Sequence, residues 1–284
     1  MSKILFPTDF SETASNAFVY ALNLAQATDA EVFVLNCYEM PVLSTTSTGQ
    51  PEMVQEVYNS IEMNHFDRFK KEVPTMRRIA EENGMSNVKL TFIFEEGLLL
   101  GIIKKIINDE EIDFIVMGTD GANSLEKRIL GSNTVNIMNN ISIPILSVPN
   151  EAKFYRSEIK TIGFATMLKE SDKKGIYTIA KIADKLGAKF KCLHVLRDEK
   201  SDYEETLNRW VSEFTPLGVT FHTVLNRDLE QSVFFFIDEY NVDVMCIIKR
   251  QLNFFEKIFS SSLSKKLAYH SYVPVFVLRE DSIN

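Results

Sequence analysis

The sequence predicts an α/β protein of two similar three-layer α/β/α domains, each with a mostly parallel five-stranded sheet. Three observations lead there. Short apolar runs alternate with longer amphipathic ones along the chain. The order of these runs occurs twice. The 284 residues, 45% hydrophobic and 25% charged, suit two globular domains of ordinary size.

Ile4-Leu5-Phe6 opens the series as a strand, followed by a helical stretch from about Glu12 to Ala27. Val32-Phe33-Val34-Leu35, Lys89-Leu90-Thr91-Phe92-Ile93, Phe114-Ile115-Val116-Met117 and Pro144-Ile145-Leu146-Ser147-Val148 are the next strands, with amphipathic stretches between them. Fully apolar strands separated by helices indicate a parallel sheet covered on both faces.

Thr161 to Thr166 aligns with Lys3 to Thr8, and Ala188 to Val195 aligns with Ala30 to Cys37 at the same shift. A second, smaller shift aligns Val242-Asp243-Val244-Met245 with Ile112-Asp113-Phe114-Ile115. The same shift aligns Glu256-Lys257 with Glu126-Lys127 and Val273-Pro274-Val275 with Ile143-Pro144-Ile145. The first copy therefore carries extra residues between Tyr38 and the helix around Phe66. They include Ser44 to Pro51, which has the composition of a flexible loop. The expected domains are residues 1–150 and 156–284, divided in the polar stretch Asn150 to Ser157.

A net charge of −8 argues against nucleic acid as a partner, since phosphate neutralisation needs clustered Lys and Arg. Lys70-Lys71, Arg77-Arg78 and Lys265-Lys266 are short and read as solvated faces. No run reaches the roughly 20 apolar residues of a spanning helix. The chain enters a strand at once, without a visible signal peptide. Cys37, Cys192 and Cys246 sit singly in apolar runs, without zinc-type spacing, as small buried residues. These features together predict a cytoplasmic protein without a membrane partner.

Two stretches carry chemistry. The first strand ends in Phe6-Pro7-Thr8-Asp9-Phe10-Ser11, and ligands of open α/β sheets bind outside the carboxyl ends of strands. Asp9 alone serves equally as a ligand group or, with Ser11, as a helix cap. The fourth strand ends in Met117-Gly118, followed by Thr119-Asp120-Gly121 and, nine residues later, Gly131-Ser132-Asn133-Thr134 at the head of a helix-like run. Glycines allow close backbone approach, and a helix N-terminus favours an anion. A plain βα loop with a capping Ser explains that pair by itself; its convergence with Asp9 at one sheet edge favours a nucleotide.

These motifs resemble those of the universal stress protein family, specifically its ATP-binding branch. Pro7-Thr8-Asp9-Phe10-Ser11 fits the end of that family's first strand. Gly118, Gly121, Gly131 and Ser132 fit its Gly-x2-Gly-x9-Gly-Ser motif. The resemblance covers the chain as a tandem pair and implies a Rossmann-like, adenine nucleotide alpha hydrolase-like fold. It implies ATP as the bound cofactor, with ribose and adenine near Pro7, Thr8 and Asp9 and the main chain of Cys37 as the adenine contact. The phosphates would lie on Met117-Gly118, Gly121, Gly131, Ser132 and Asn133, with room for Mg or Mn. Asp120 departs from the pattern, since members often carry His there. A carboxylate repels phosphates unless it turns away or helps hold a metal. Lys127 and Arg128 either offset it or are solvated loop charges.

The second copy lacks the motif. Pro7 becomes Ala165, Asp9 becomes Met167, Gly118 becomes Ile248, Gly121 becomes Gln251 and Gly131 becomes Ser261. Thr166 and Ser262 remain, and Phe254, Phe255 and Phe259 fill the corresponding loop. His194 is expected to be structural. The expected function is a nucleotide-responsive regulatory or stress-tolerance factor with one ATP site and an unidentified protein partner. A nucleotide-independent scaffold module and a slow ATPase are the alternatives. The enzyme reading has little support, because the chain has no Walker A Lys and no base paired with Asp9. In this family two such domains commonly pair through their last strands. Within the chain that places Val273 to Leu278 against Ile143 to Leu146, and it leaves a homodimer open.

Overall fold

A computed structural model describes residues 2–41, 51–119, 132–150, 152, 159–196, 203–248 and 273–278. The first half runs β1 (Ser2–Pro7), α1 (Glu12–Thr28), β2 (Ala30–Tyr38), α2 (Pro51–Glu82), β3 (Leu90–Glu96), α3 (Leu99–Glu110), β4 (Phe114–Gly118), α4 (Ser132–Asn140) and β5 (Ile145–Val148). The second runs β6 (Thr161–Thr166), α5 (Glu170–Leu186), β7 (Lys189–Leu196), α6 (Glu204–Phe214), β8 (Val219–Leu225), α7 (Leu229–Tyr240), β9 (Val244–Ile248) and β10 (Val275–Leu278).

The strands form one sheet in the order β3-β2-β1-β4-β5-β10-β9-β6-β7-β8. Within each half all pairs are parallel. At the seam β10 meets β5 antiparallel, with Val275, Phe276 and Val277 opposite Ser147, Leu146 and Ile145. The strand pairing expected from the sequence thus joins the two halves, over three residue pairs. One layer of the core buries α1, α5 and the end of α2 on one sheet face; the other buries α3, α4 and α7 on the opposite face. Both layers cross the seam.

The repeat is visible in the turns as well as in the strands. Asp113 Oδ2 accepts the Lys3 N–H at 2.7 Å, and Asp243 Oδ2 accepts the Thr161 N–H at 2.9 Å. α1 and α5 both end on a left-handed residue, Asp29 (φ 52°) and Gly187 (φ 63°). α1 begins where Ser11 Oγ accepts the Ala14 N–H at 3.2 Å, so the helix starts at the expected residue.

The extra residues of the first half differ from expectation. They are not all loop: α2 starts at Pro51 and runs for 32 residues. Proline is well suited to the first turn of a helix, where its missing N–H has no partner to lose. Its second-half counterpart, α6, has 11 residues. Cys192 and Cys246 are buried as expected, whereas Cys37 is only half-buried. Among the described residues no helix is long and apolar enough to cross a membrane.

At the opposite end of the sheet from the candidate site, Glu31 on β2 has a side chain only 8% exposed and lies 2.9 Å from Lys89 Nζ. Thr91 donates its hydroxyl to the same carboxylate. Burial opposes the charge, but the bonds from Lys89 and Thr91 and the charges of Lys89 and Lys3 outweigh it, holding the carboxyl below its usual range. A depressed folded pKa gives stability that is present above the unfolded value and lost as pH falls through the folded one. Glu31→Gln is expected to cost about 1.5 kcal/mol at neutral pH. Its difference from wild type should vanish in acid, which urea unfolding at the two pH values checks.

Candidate functional site

β1 and β4 are neighbours, yet the chain leaving β1 turns into α1 on one face while that leaving β4 leads to α4 on the other. Such a switch point opens a crevice at the carboxyl edge of the sheet. The residues around it follow from local bonding. β1 pairs with β2 up to Pro7–Leu35, and the Thr8 N–H then donates to the Leu35 carbonyl at 2.8 Å. Thr8 Oγ1 accepts the Phe10 N–H at 3.0 Å, and Asp9 Oδ1 accepts the Ser11 N–H at 3.0 Å. These bonds bend the strand into α1 through Phe10, whose φ is 60°. A left-handed backbone is costly for a bulky residue; the Phe10 ring is held against Phe69 of α2, centroids 6.2 Å apart.

Ser11 is therefore the helix cap, and Asp9 contributes a turn bond from one oxygen while its side chain stays exposed. Arg68 of α2 donates Nη2 to the Asp9 carbonyl at 3.0 Å. His65 stacks on Tyr38 with ring centroids 4.8 Å apart.

β2 outlasts β1. Beyond Leu35 it continues to pair with β3 as far as Tyr38–Glu96, and the Tyr38 carbonyl accepts the Gly97 N–H on that side at 2.9 Å. Main-chain groups alternate sides along a strand, so the N–H and C=O of Cys37 turn toward β1, past its last paired residue. Asn36 Nδ2 closes the near side by donating to the Thr8 carbonyl at 2.8 Å. Burial, with Glu39 adding, pushes the Cys37 thiol up to about 11. It is thus a neutral side chain at ordinary pH rather than a nucleophile.

Gly118 ends β4 against the first turn of α1. A Cβ there would lie 3.0 Å from Thr13 Cγ2 and 3.4 Å from the Thr13 carbonyl oxygen. Its carbonyl accepts the Thr134 hydroxyl at 3.0 Å, which draws the N-terminus of α4 to the sheet edge. Ser132, Asn133 and Thr134 are the first three described residues of α4, and the N–H groups that head a helix lack intrahelical acceptors. Met117 packs its side chain into the core and pairs with Ser147, forming the floor beneath Gly118.

Pro7, Thr8, Asp9, Cys37, Met117, Gly118, Ser132 and Asn133 thus gather at one edge. Asp120, Gly121, Lys127, Arg128 and Gly131 lie outside the described residues, as do Gln251, Phe254, Phe255, Phe259, Ser261 and Ser262 of the second half. His194 is structural: its Nδ1 is 3.1 Å from the Thr166 carbonyl, the place Asn36 takes in the first half. Burial lowers its pKa, partly offset by that bond and by Asp172. Sequence reasoning missed Arg68, His65 and Thr13. Only Thr134, within the Gly131-Ser132-Asn133-Thr134 run, carried a signal.

Comparison with known proteins bears on the family and the fold. Residues 1–149 match the model of the universal stress protein family. Two universal stress proteins of Methanocaldococcus jannaschii are each 29% identical to the chain. One match spans 53% of this chain and 84% of the relative, the other 51% and 93%. A universal stress protein structure from Archaeoglobus fulgidus covers 98% of both chains with a TM-score of 0.71 at 17% identity, a likeness of fold. A putative universal stress protein from Pseudomonas aeruginosa covers 100% of this chain and 95% of its own, with a TM-score of 0.61 at 14% identity. The family match covers more than half of the residues and includes both strand-end motifs, so this chain belongs to the universal stress protein family.

Proposed function

We propose that the first half binds ATP in the crevice between β1 and β4, and that the chain acts as a nucleotide-responsive regulatory or stress-tolerance factor. In this proposal residues 1–150 are the nucleotide domain and 156–284 a companion domain with a degenerate motif. The observation that carries it is the main chain of Cys37, which faces the gap beyond β1. A strand residue offers its N–H and C=O side by side, and the Watson–Crick edge of adenine presents an acceptor beside an amino donor. Asp9 stands within the same crevice with an exposed carboxylate suited to ribose hydroxyls. Gly118 lets the first turn of α1, and with it the turn carrying Asp9, sit close against β4, and the N–H groups heading α4 suit phosphate oxygens. Mg or Mn belongs to the proposal as a companion of the phosphates.

The test is thermal unfolding of the full chain with ATP and magnesium. At a hundredfold excess over Kd, binding adds about 2.7 kcal/mol, so the midpoint rises by several degrees. Asp9→Ala is expected to weaken binding about tenfold or more and to shrink the rise accordingly. A wild-type midpoint unmoved by millimolar ATP overturns the proposal.

A further inference from the structure

The corner that holds Thr8 and Asp9 in the first half is plugged in the second. Asp172, fully buried in the first turn of α5, accepts the Thr166 hydroxyl at 2.8 Å and the Met167 N–H at 2.9 Å through Oδ2. Thr166 and Met167 are the counterparts of Thr8 and Asp9, and Asp172 is the counterpart of Ala14.

The turns themselves match, although Ser11 caps α1 with its side chain and its counterpart Lys169 makes no side-chain cap bond to α5. Thr166 Oγ1 accepts the Leu168 N–H at 2.9 Å, as Thr8 Oγ1 accepts that of Phe10 at 3.0 Å. Leu168 has φ 54° and Phe10 has φ 60°. His194 and Asn36 each hold the carbonyl of the threonine. On the third helical residue the group also differs: a carboxylate at Asp172, a methyl at Ala14. With Ala14 in place, the Thr8 hydroxyl proton and the Asp9 N–H have no acceptor among the described residues, although Thr8 is only 9% exposed. A nearly buried donor without an acceptor, here the Thr8 hydroxyl, is unfavourable, and the first turn of a helix favours negative charge. Both corners are thus built to surround an oxygen acceptor, and the second supplies its own.

We infer that Asp172 is an internal acceptor that closes the second half to ligand, and that Ala14 keeps the first half open by leaving the Thr8 hydroxyl and Asp9 N–H to an acceptor oxygen of the nucleotide. The second clause rests on the ATP-binding proposal; the first does not. Position 14 is then the gate: its size and charge decide whether the corner serves the fold or a ligand.

The experiment moves the plug. Ala14→Asp and Asp172→Ala are made in the full chain, and amide exchange at Asp9 and Met167 is measured along with the ATP-dependent thermal shift. Ala14→Asp is expected to slow Asp9 amide exchange about tenfold and to remove the shift. Asp172→Ala is expected to speed Met167 exchange by about the same factor. A folded Ala14→Asp protein with unchanged Asp9 exchange, or with the full wild-type shift, overturns the inference. If wild type itself shows no shift, the ATP proposal fails alone. The exchange rates still decide the plug: slowed Asp9 exchange in Ala14→Asp supports it and an unchanged rate overturns it. Should Ala14→Asp not fold, Met167 exchange in Asp172→Ala decides, and an unchanged rate there sinks the idea.

Discussion

Truncating Phe276 to alanine is expected to lower stability by about 3–5 kcal/mol, the range for removing a buried phenyl ring. Phe276 is 4% exposed and lies in β10, between β9 of its own half and β5 of the other. Its ring meets Phe114 of β4 edge-on, with centroids 6.2 Å apart and planes at 63°. The cavity therefore opens in the core layer shared by both halves. The chain has one tryptophan, Trp210, fully buried in the second half, so its fluorescence reports that half while far-UV circular dichroism reports both. In urea the two signals should coincide for wild type. In Phe276→Ala the Trp210 transition should move to lower urea and precede the loss of ellipticity. A midpoint unchanged from wild type contradicts this account of the seam.

Gly118→Ile, which installs the second half's own residue, is expected to cost about 1–3 kcal/mol from overpacking and to abolish the ATP-dependent shift. The new Cβ would fall within 3.0 Å of Thr13 Cγ2, displacing the turn that carries Asp9. The second half accommodates Ile248 because α5 carries Gly175 opposite it; a Cβ on Gly175 would lie 3.0 Å from Ile248 Cδ1. The first half has Ala17 at that position of α1. Adding Ala17→Gly should therefore recover part of the stability, since contacting residues are not additive, without restoring the response to ATP. Calorimetry of the single and double variants with and without nucleotide checks both statements.

This exchange of bulk between strand and helix also marks how far the sequence could be read. The inner strands were legible because their apolar runs are buried on both faces, and α1 was legible because Ser11 stands directly before it; the edge strand β8, only partly buried, was not named from the sequence. Gly118 was recognised as a place of close approach, but the neighbour it makes room for, Thr13, lies 105 positions away in the chain and leaves no local trace. The start of α2 was hidden because Pro51 follows a run of Ser, Thr and Gly, which disguises a helix-opening proline as loop. Arg68 and His65 reach the crevice only through the placement of α2. Asp172 reads in the sequence as one charge among several on an amphipathic helix, and its complete burial is a tertiary fact.

The seam has a consequence for how the chain emerges from the ribosome. β5 ends at Val148, but β10, which lies between it and β9, ends at Leu278, 130 residues later. At about 5–20 residues per second, the first half waits roughly 7–26 s with β5, apolar but for Ser147, as a bare edge. β9 waits more briefly beside it. Unpaired apolar edges recruit other strands, so for that interval the nascent chain is most vulnerable to aggregation at β5, and the synthesis of β10 ends the exposure.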